Sequence, residues 1–200
     1  MFWEESPLTW EQIKAIGRRL YGSELAVDPT SGYEEKEFPA VWHGHRSVLK
    51  DSVPVDDQMF PRIFSNKTED GFARSEGMDG PSFEYHLYVS ATGADRSEEE
   101  FEQDCERVFN IERAECVRDY GRTRAQDETV ISAFEGEENW TNPLIGEKQR
   151  LDRGQFLKLL DRYYTLRGWD METGVPTRAK LEELGLGYVA DELERDAETR

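Results

Sequence analysis

The chain has 200 residues, with 25 Lys and Arg against 43 Asp and Glu, and a net charge of −18. This excess of negative charge disfavours binding to DNA, RNA or an anionic membrane surface, because each phosphate contact needs a cation from the protein. No segment approaches the roughly 18 consecutive apolar residues of a membrane span, and two Cys cannot form a disulfide framework. The first residues contain neither the basic nor the apolar segment of a signal peptide. We therefore expect a cytoplasmic protein with no nucleic-acid or membrane partner.

The N-terminal half predicts two helices and a long loop. The first helix should begin after Thr9, because Thr9 and Gln12 form a capping-box pattern, and Gly22 can end it. The second is predicted over Pro39–Lys50, ending before a Val-Pro pair, since the residue before a proline is disfavoured in the α conformation. The polar, glycine-rich segment Ser65–Pro81 is predicted to be a connecting loop.

The C-terminal half gives stronger helix signals. Ser97 begins another capping box, and an apolar stripe extends that helix from about Glu98 to Tyr120. Further helices are predicted over Arg153–Arg167 and from Thr177 onward. The apolar positions of that last helix are Leu181, Leu184 and Leu186. Segment Ser82–Ser90 fits both a strand and a helix, so the residues alone predict a predominantly α fold with one doubtful strand.

The residue types that carry catalysis or bind metals form no recognisable motif. Cys105 and Cys116 are eleven residues apart on one helix, unlike the spacing of a zinc or iron–sulfur site, and both are predicted to be buried in the core. His43 and His45 lie on opposite sides of a helix, and we interpret them as structural residues. Neither a glycine-rich phosphate loop nor a nucleophile motif occurs. The residues by themselves therefore predict an acidic helical domain without an identifiable active site.

Three stretches resemble the C-terminal domain of the tungsten-containing aldehyde ferredoxin oxidoreductases. The most specific is Leu159–Leu186, LLDRYYTLRGWDMETGVPTRAKLEELGL, which is similar to the family's R-G-W-D, G-x-P-T and K-L-x-x-L-G-L string. Glu106–Val130 resembles the family's N-x-E-R helix and the arginine-rich turn after it, and His45–Asp57 resembles its D-x-x-G-L-[CD] motif. The resemblance covers essentially all of residues 1–200. It implies one all-α C-terminal domain, in which Ser82–Ser90 is a helix.

The D-x-x-G-L-[CD] stretch implies the site residues. In the family its Asp hydrogen-bonds a pterin of the tungsten cofactor, and its last residue, when Cys, is a ligand of a [4Fe–4S] cluster. By resemblance, Asp51 and Val55 lie at the cofactor, and Asp56 occupies the cluster-ligand position. Pro54 and Val55 replace the usual Gly and Leu, and a carboxylate at Asp56 is a harder and weaker iron ligand than a thiolate. A surface carboxylate or helix cap is the alternative role for Asp56.

Complete members of the family also have an N-terminal pterin-binding domain and a middle domain with a C-x-x-C-x-x-x-C pattern, which nothing in this chain resembles. The implied function is therefore a partial or split-subunit oxidoreductase that oxidises an aldehyde or related oxo substrate and passes electrons to ferredoxin. Its expected partner is a chain that carries the two other domains, and the isolated chain is expected to bind no tungsten or cluster and to be inactive. The alternative is a non-catalytic helical interaction module or a truncated remnant. An exposed aromatic surface is predicted at Trp3, Trp42, Phe60, Phe64 and Phe72.

Overall fold

The computed structural model describes residues 8–53, 64–75, 78–129, 140–141, 146–149 and 151–199. Its α-helices are α1 (Trp10–Tyr21), α2 (Glu37–Ser52), α3 (Phe83–Thr92), α4 (Glu98–Tyr120), α5 (Arg124–Glu128), α6 (Arg153–Arg167), α7 (Arg178–Glu183) and α8 (Gly187–Thr199). Strands β1 (Arg74–Ser75) and β2 (Met78–Asp79) form one antiparallel pair, and β3 (Trp140–Thr141) and β4 (Lys148–Gln149) form another. The fold is all-α, as expected. Within the described ranges, no helix is both long and apolar enough to cross a membrane.

Helices α1, α4 and α6 begin and end where local sequence signals place them. The Thr9 hydroxyl accepts a hydrogen bond from the Gln12 amide, and the Gln12 side chain accepts one from the Thr9 amide. Ser97 and Glu100 make the same reciprocal pair at the start of α4. The three helices end at left-handed glycines, Gly22, Gly121 and Gly168. These caps satisfy terminal N–H and C=O groups that the helices cannot pair internally.

Three segments clarify or correct the sequence predictions. Helix α2 begins two residues before Pro39, because a proline is tolerated in the first turn of a helix. Ser82–Ser90 is helical within Gly80–Thr92, as the family resemblance implies, and not a strand. The helix predicted from Thr177 begins as expected, with the Thr177 hydroxyl accepting from the Lys180 amide. Its predicted continuation through Leu186 is wrong, since α7 ends at Glu183 and Gly185 turns the chain with φ 69° before α8. The three predicted leucines are nevertheless buried together at this junction.

The core forms around α2, which packs against both α4 and α6. At one contact Val48 and Leu49 of α2 meet Phe101 and Cys105 of α4. A second apolar cluster joins α6 to the chain that follows it, and consists of Leu160, Tyr164 and Trp169. Burial of these apolar side chains is the main stabilising contribution to such a fold. It fixes the relative positions of α4 and α6, which border the site described below.

The exposed aromatic surface predicted from the sequence is only partly present. Phe72 is completely buried, because segment 64–75 folds back onto α1 and places the Phe72 ring 4.3 Å from the guanidinium carbon of Arg19. Trp42 is half-buried, with Arg46 4.9 Å from its ring centroid, and Phe64 is 40% exposed. Trp3 and Phe60 lie outside the described residues. The predicted loop Ser65–Pro81 is thus anchored by a core residue and carries the β1–β2 pair.

Candidate functional site

Asp51, the predicted pterin contact, lies in the last turn of α2 with an exposed side chain. The helix ends at Ser52, two residues beyond the predicted Lys50 but still before the Val-Pro pair. Val55 and Asp56, the other predicted cofactor residues, lie outside the described residues. The roles of Asp51 and Val55 at the cofactor and of Asp56 at the cluster therefore stay predictions.

A cleft of about 380 Å³ opens beside α4, α6 and the turn that joins α6 to α7. Most of its wall is aromatic or aliphatic. These side chains are Phe109, Phe156, Leu160, Tyr163 and Trp169. The remaining wall is polar and contains charged side chains from α4, from α5 and from the link between them. A mostly apolar cavity with a few convergent polar groups is the usual form of a small-molecule site.

The polar wall is organised by the buried carboxylate of Asp127. Arg113 donates two hydrogen bonds to it, Nη1 to Oδ1 at 3.2 Å and Nη2 to Oδ2 at 2.7 Å. Arg122 Nε donates to Oδ1 at 2.8 Å, and the Tyr164 hydroxyl donates to Oδ2 at 2.5 Å. Burial alone would raise the pKa of Asp127, but the hydrogen bonds from these three partners outweigh it and lower that pKa. Asp127 is therefore a fixed anion that orients two guanidinium groups.

The turn after α6 brings the R-G-W-D and G-x-P-T residues to this wall. Asp170 Oδ1 accepts from the Thr173 amide at 2.8 Å and from the Thr173 hydroxyl at 2.7 Å, which closes the turn. Arg113 Nε donates to the Gly174 carbonyl at 2.9 Å. Gly174 has φ 72°, and a Cβ at this position would lie 2.7 Å from both Arg113 Nη2 and the Tyr164 hydroxyl oxygen. The polar wall thus requires a glycine here for both conformation and space.

The aromatic wall is centred on Trp169. Its Nε1 donates to Asn110 Oδ1 at 2.8 Å, so the buried indole has its hydrogen bond satisfied. The Trp169 ring stacks on Phe109 with centroids 6.1 Å apart and meets Tyr163 edge-on at 5.8 Å. The guanidinium carbon of Arg113 lies 4.6 Å from the Trp169 centroid and links the two walls.

Behind the aromatic wall lies Arg167, whose side chain is fully buried. Its guanidinium carbon is 3.7 Å from the Phe109 centroid, and its Nε donates to the Tyr163 hydroxyl at 3.0 Å. Arg167 Nη1 lies 2.6 Å from His45 Nε2. Burial and the positive charge of Arg167 lower the pKa of His45 to about 4, so the imidazole is neutral at pH 7 and its Nε2 accepts from the guanidinium. The glycine at position 44 provides the space for this guanidinium, since a Cβ there would lie 2.5 Å from Arg167 Nη2.

Glu112 connects the cleft with Asp51. It lines the cleft, yet its side chain is exposed, which places it toward the opening. Burial raises the pKa of Glu112, and the like charges of Asp51 and then Glu115 raise it further. The charge of Asp51 therefore affects the protonation of a residue that lines the cleft, although Asp51 itself does not line it.

The two cysteines differ in burial, which partly corrects the sequence prediction. Cys105 is buried against α2, as predicted, and burial raises the pKa of its thiol to about 12. Cys116 is only half-buried. It lies three turns further along α4, where the helix borders the cleft and no longer the α2 core. The apolar stripe is continuous in sequence, but its surroundings change along the helix.

The described residues do not fit a metal centre by themselves. No group of three or more His, Cys, Asp and Glu side chains within the described ranges converges well enough to hold a metal ion. A [4Fe–4S] cluster takes four protein ligands, usually thiolates. The two cysteines lie three turns apart on α4, one in the core and one at the cleft. Asp51 presents an exposed carboxylate, which can accept hydrogen bonds from a bound group.

Comparisons with known proteins give the family. The family model described as "Aldehyde ferredoxin oxidoreductase, domains 2 & 3" matches residues 3–186. The chain belongs to the aldehyde ferredoxin oxidoreductase family. It is 37% identical over 97 residues to the tungsten-containing aldehyde ferredoxin oxidoreductase of Thermococcus kodakarensis, and 35% identical over 100 residues to that of Pyrococcus furiosus. These alignments cover 48% and 50% of this chain but only 15% of either relative.

The sequence missed the cleft, although it contained most of the residues that form it. Arg167, Trp169 and Gly174 belong to the stretch that most specifically resembles the aldehyde ferredoxin oxidoreductase family. Arg113 and Asp127 lie in the second such stretch. Arginine and aspartate can form bidentate, charge-assisted ion pairs, but the spacing of these residues does not show that they meet. The pairing of these two stretches around one cavity needs the fold.

Proposed function

We propose that this chain acts as the C-terminal part of a tungsten-dependent aldehyde oxidoreductase and works with a chain that carries the pterin-binding and cysteine-bearing domains. The observation that carries the proposal is the family match over residues 3–186, combined with the 15% coverage of the two relatives. The residues that would complete a redox centre would then be supplied outside this chain. Ferredoxin is the proposed electron acceptor.

The role proposed for Asp51 follows from its position at the end of α2. Its carboxylate is exposed at a helix terminus and can accept hydrogen bonds from a partner. When bound, the tungsten–pterin group would supply the two-electron oxidation of an aldehyde and water to a carboxylate. Asp51 would hold and orient the pterin ring at the edge of this domain. Asp56 is proposed to lie beside the cluster as a carboxylate ligand, and Val55 to pack against the cofactor.

The experiment is co-expression of this chain with a tagged chain that carries the other two domains. We expect the two chains to copurify, with tungsten and iron present and with aldehyde-dependent reduction of ferredoxin. Asp51→Asn keeps the size of the side chain but weakens it as an acceptor, so we expect a lower pterin content. Asp95→Asn, at an exposed position between α3 and α4, is the matched control and should leave cofactor content unchanged.

Three results would contradict the proposal. Failure of the chains to copurify would favour a free-standing helical module or a remnant. Copurification with equal pterin content in Asp51→Asn and Asp95→Asn would remove Asp51 from the cofactor site. Stoichiometric tungsten or iron–sulfur in this chain purified alone would show that it needs no partner domains.

A further inference from the structure

We propose that the cleft between α4, α6 and the turn after α6 binds a small aromatic carboxylate. The ring would lie against Phe156 and Tyr163, two partly exposed aromatic side chains of the cleft, and the carboxylate would accept hydrogen bonds from Arg122 and Tyr163. This inference goes beyond the proposed redox function, because the site is formed by residues of this chain and needs no other domain. The cleft volume of about 380 Å³ lies within the usual range of ligand sites and exceeds that of a single benzoate-sized molecule.

Two donors of the cleft wall still have hydrogen-bonding capacity. Arg122 directs both Nε and Nη2 to one oxygen of Asp127, at 2.8 and 2.7 Å. Its Nη1 has no partner in the part of the chain that the structure describes. The Tyr163 hydroxyl accepts from Arg167 Nε, and within the same described residues its own O–H has no acceptor. Each donor is next to a positive charge, which strengthens hydrogen bonds to an anion.

The placement of the arginines favours an anion over a cation in the interior of the cleft. Two guanidinium groups of the polar wall share the single buried carboxylate of Asp127, and Arg167 behind the aromatic wall has no carboxylate within salt-bridge distance among the described residues. An aromatic wall can also attract cations through its ring faces. Here those faces are already occupied, because Arg113 covers Trp169 and Arg167 covers Phe109. A cationic ligand would meet like charge on both walls.

Glu112 is the opposing feature, and it gives the proposal a distinctive test. Its carboxylate lines the cleft and would repel a bound anion. Removing the charge of Arg122 should therefore weaken binding, whereas removing the charge of Glu112 should strengthen it. An adventitious apolar ligand would respond to neither change.

The test measures 4-fluorobenzoate binding to the full chain by ¹⁹F NMR titration at pH 7. We expect saturable binding of 4-fluorobenzoate with a millimolar or lower Kd. We expect 4-fluorobenzyl alcohol to bind more weakly because it lacks the charge, and cyclohexanecarboxylate to compete weakly because it lacks the aromatic ring. Arg122→Gln should raise Kd at least fivefold, since a charge-assisted hydrogen bond is lost. Glu112→Gln should lower Kd about threefold.

The matched controls are Arg118→Gln and Glu198→Gln, which make the same charge changes at exposed positions outside the cleft. Both should leave Kd unchanged, and thermal unfolding of every variant checks that it is folded. Absence of saturable binding, equal binding of the alcohol or of the cyclohexane acid, or equal Kd values in Arg122→Gln and Arg118→Gln would each overturn the proposal. A Kd in Glu112→Gln that matches that of Glu198→Gln would also overturn it. A concentration-dependent dimer that 4-fluorobenzoate fails to dissociate would overturn it as well, since the cleft would then be filled by a second copy.

Discussion

Protonation of His45 is expected to destabilise the fold below pH 6.5. The imidazole lies 2.6 Å from the buried guanidinium of Arg167, and its pKa falls from 6.5 to about 4 because of burial and then the positive charges of Arg167, Arg46 and Lys180. On the other side His45 borders a hollow that is also lined by Glu102 and Glu106. Negative charges favour a protonated imidazole, but the pKa of His45 is lowered all the same, so burial and the cations prevail. A proton on His45 would therefore lie beside the buried cation of Arg167.

The direction and size of the effect follow from proton linkage. Above pH 6.5 His45 is neutral in both the folded and the unfolded chain, so it adds no pH dependence. Between pH 6.5 and about 4 the unfolded chain binds a proton at His45 and the folded chain does not, so the free energy of unfolding falls as the pH falls. The pKa difference corresponds to a loss of about 3 kcal/mol, complete near pH 4.

The assay is urea unfolding of the parent chain and of His45→Gln at several pH values between 7 and 4. Gln keeps an oxygen acceptor for Arg167 but cannot titrate, so the gap in unfolding free energy between parent and variant should shrink or reverse by about 3 kcal/mol toward pH 4. His43→Gln is the control, because it removes an exposed His from the same helix. If the parent and His45→Gln lose stability in parallel as the pH falls, the pKa of His45 is not lowered in the folded chain and the reasoning fails.

Two further predictions concern Asp127 and the cysteines. Asp127→Asn should lower the free energy of unfolding by about 3–5 kcal/mol, since it leaves the buried Arg113 without its carboxylate partner. Urea unfolding measures this loss, and a loss no greater than that of the exposed control Asp191→Asn would contradict the prediction. Cys116 should react with a thiol reagent under native conditions well before Cys105, because Cys105 is buried and its thiol pKa is raised to about 12. Labelling of the single variants Cys105→Ala and Cys116→Ala separates the two rates, and equal rates would contradict the difference in burial.

The sequence predicted helices best where their ends are set by neighbouring residues. The caps of α1 and α4 involve residues three apart, and the end of α6 depends on one glycine. The break between α7 and α8 was missed, although Gly185 marks it, because the leucine spacing on both sides suits one helix. Local signals therefore predict where helices start more reliably than whether an apolar pattern continues through a turn.

The cleft could not be predicted because its pairings are distant in sequence. Arg167 meets His45 across 122 residues, and Arg113 meets the Gly174 carbonyl across 61. His45 was interpreted as a structural residue, which its contact with Arg167 supports, but nothing in the sequence indicated that Arg167 is its partner. Whether Cys116 faces the core or the cleft likewise depends on where α2 stops covering α4. Only the packing of α2, α4 and α6 decides these points.

The most specific family stretch forms the cleft and not the predicted redox contact. Trp169 and Gly174 shape the cavity walls, whereas Asp51 lies at the end of a different helix and reaches the cleft only through its effect on Glu112. The two proposals are therefore separable by experiment. Loss of the Asp51 carboxylate should change pterin retention in a complex but leave 4-fluorobenzoate binding to this chain almost unchanged. Loss of Arg122 should weaken that binding first, because Arg122 lines the cleft and Asp51 does not.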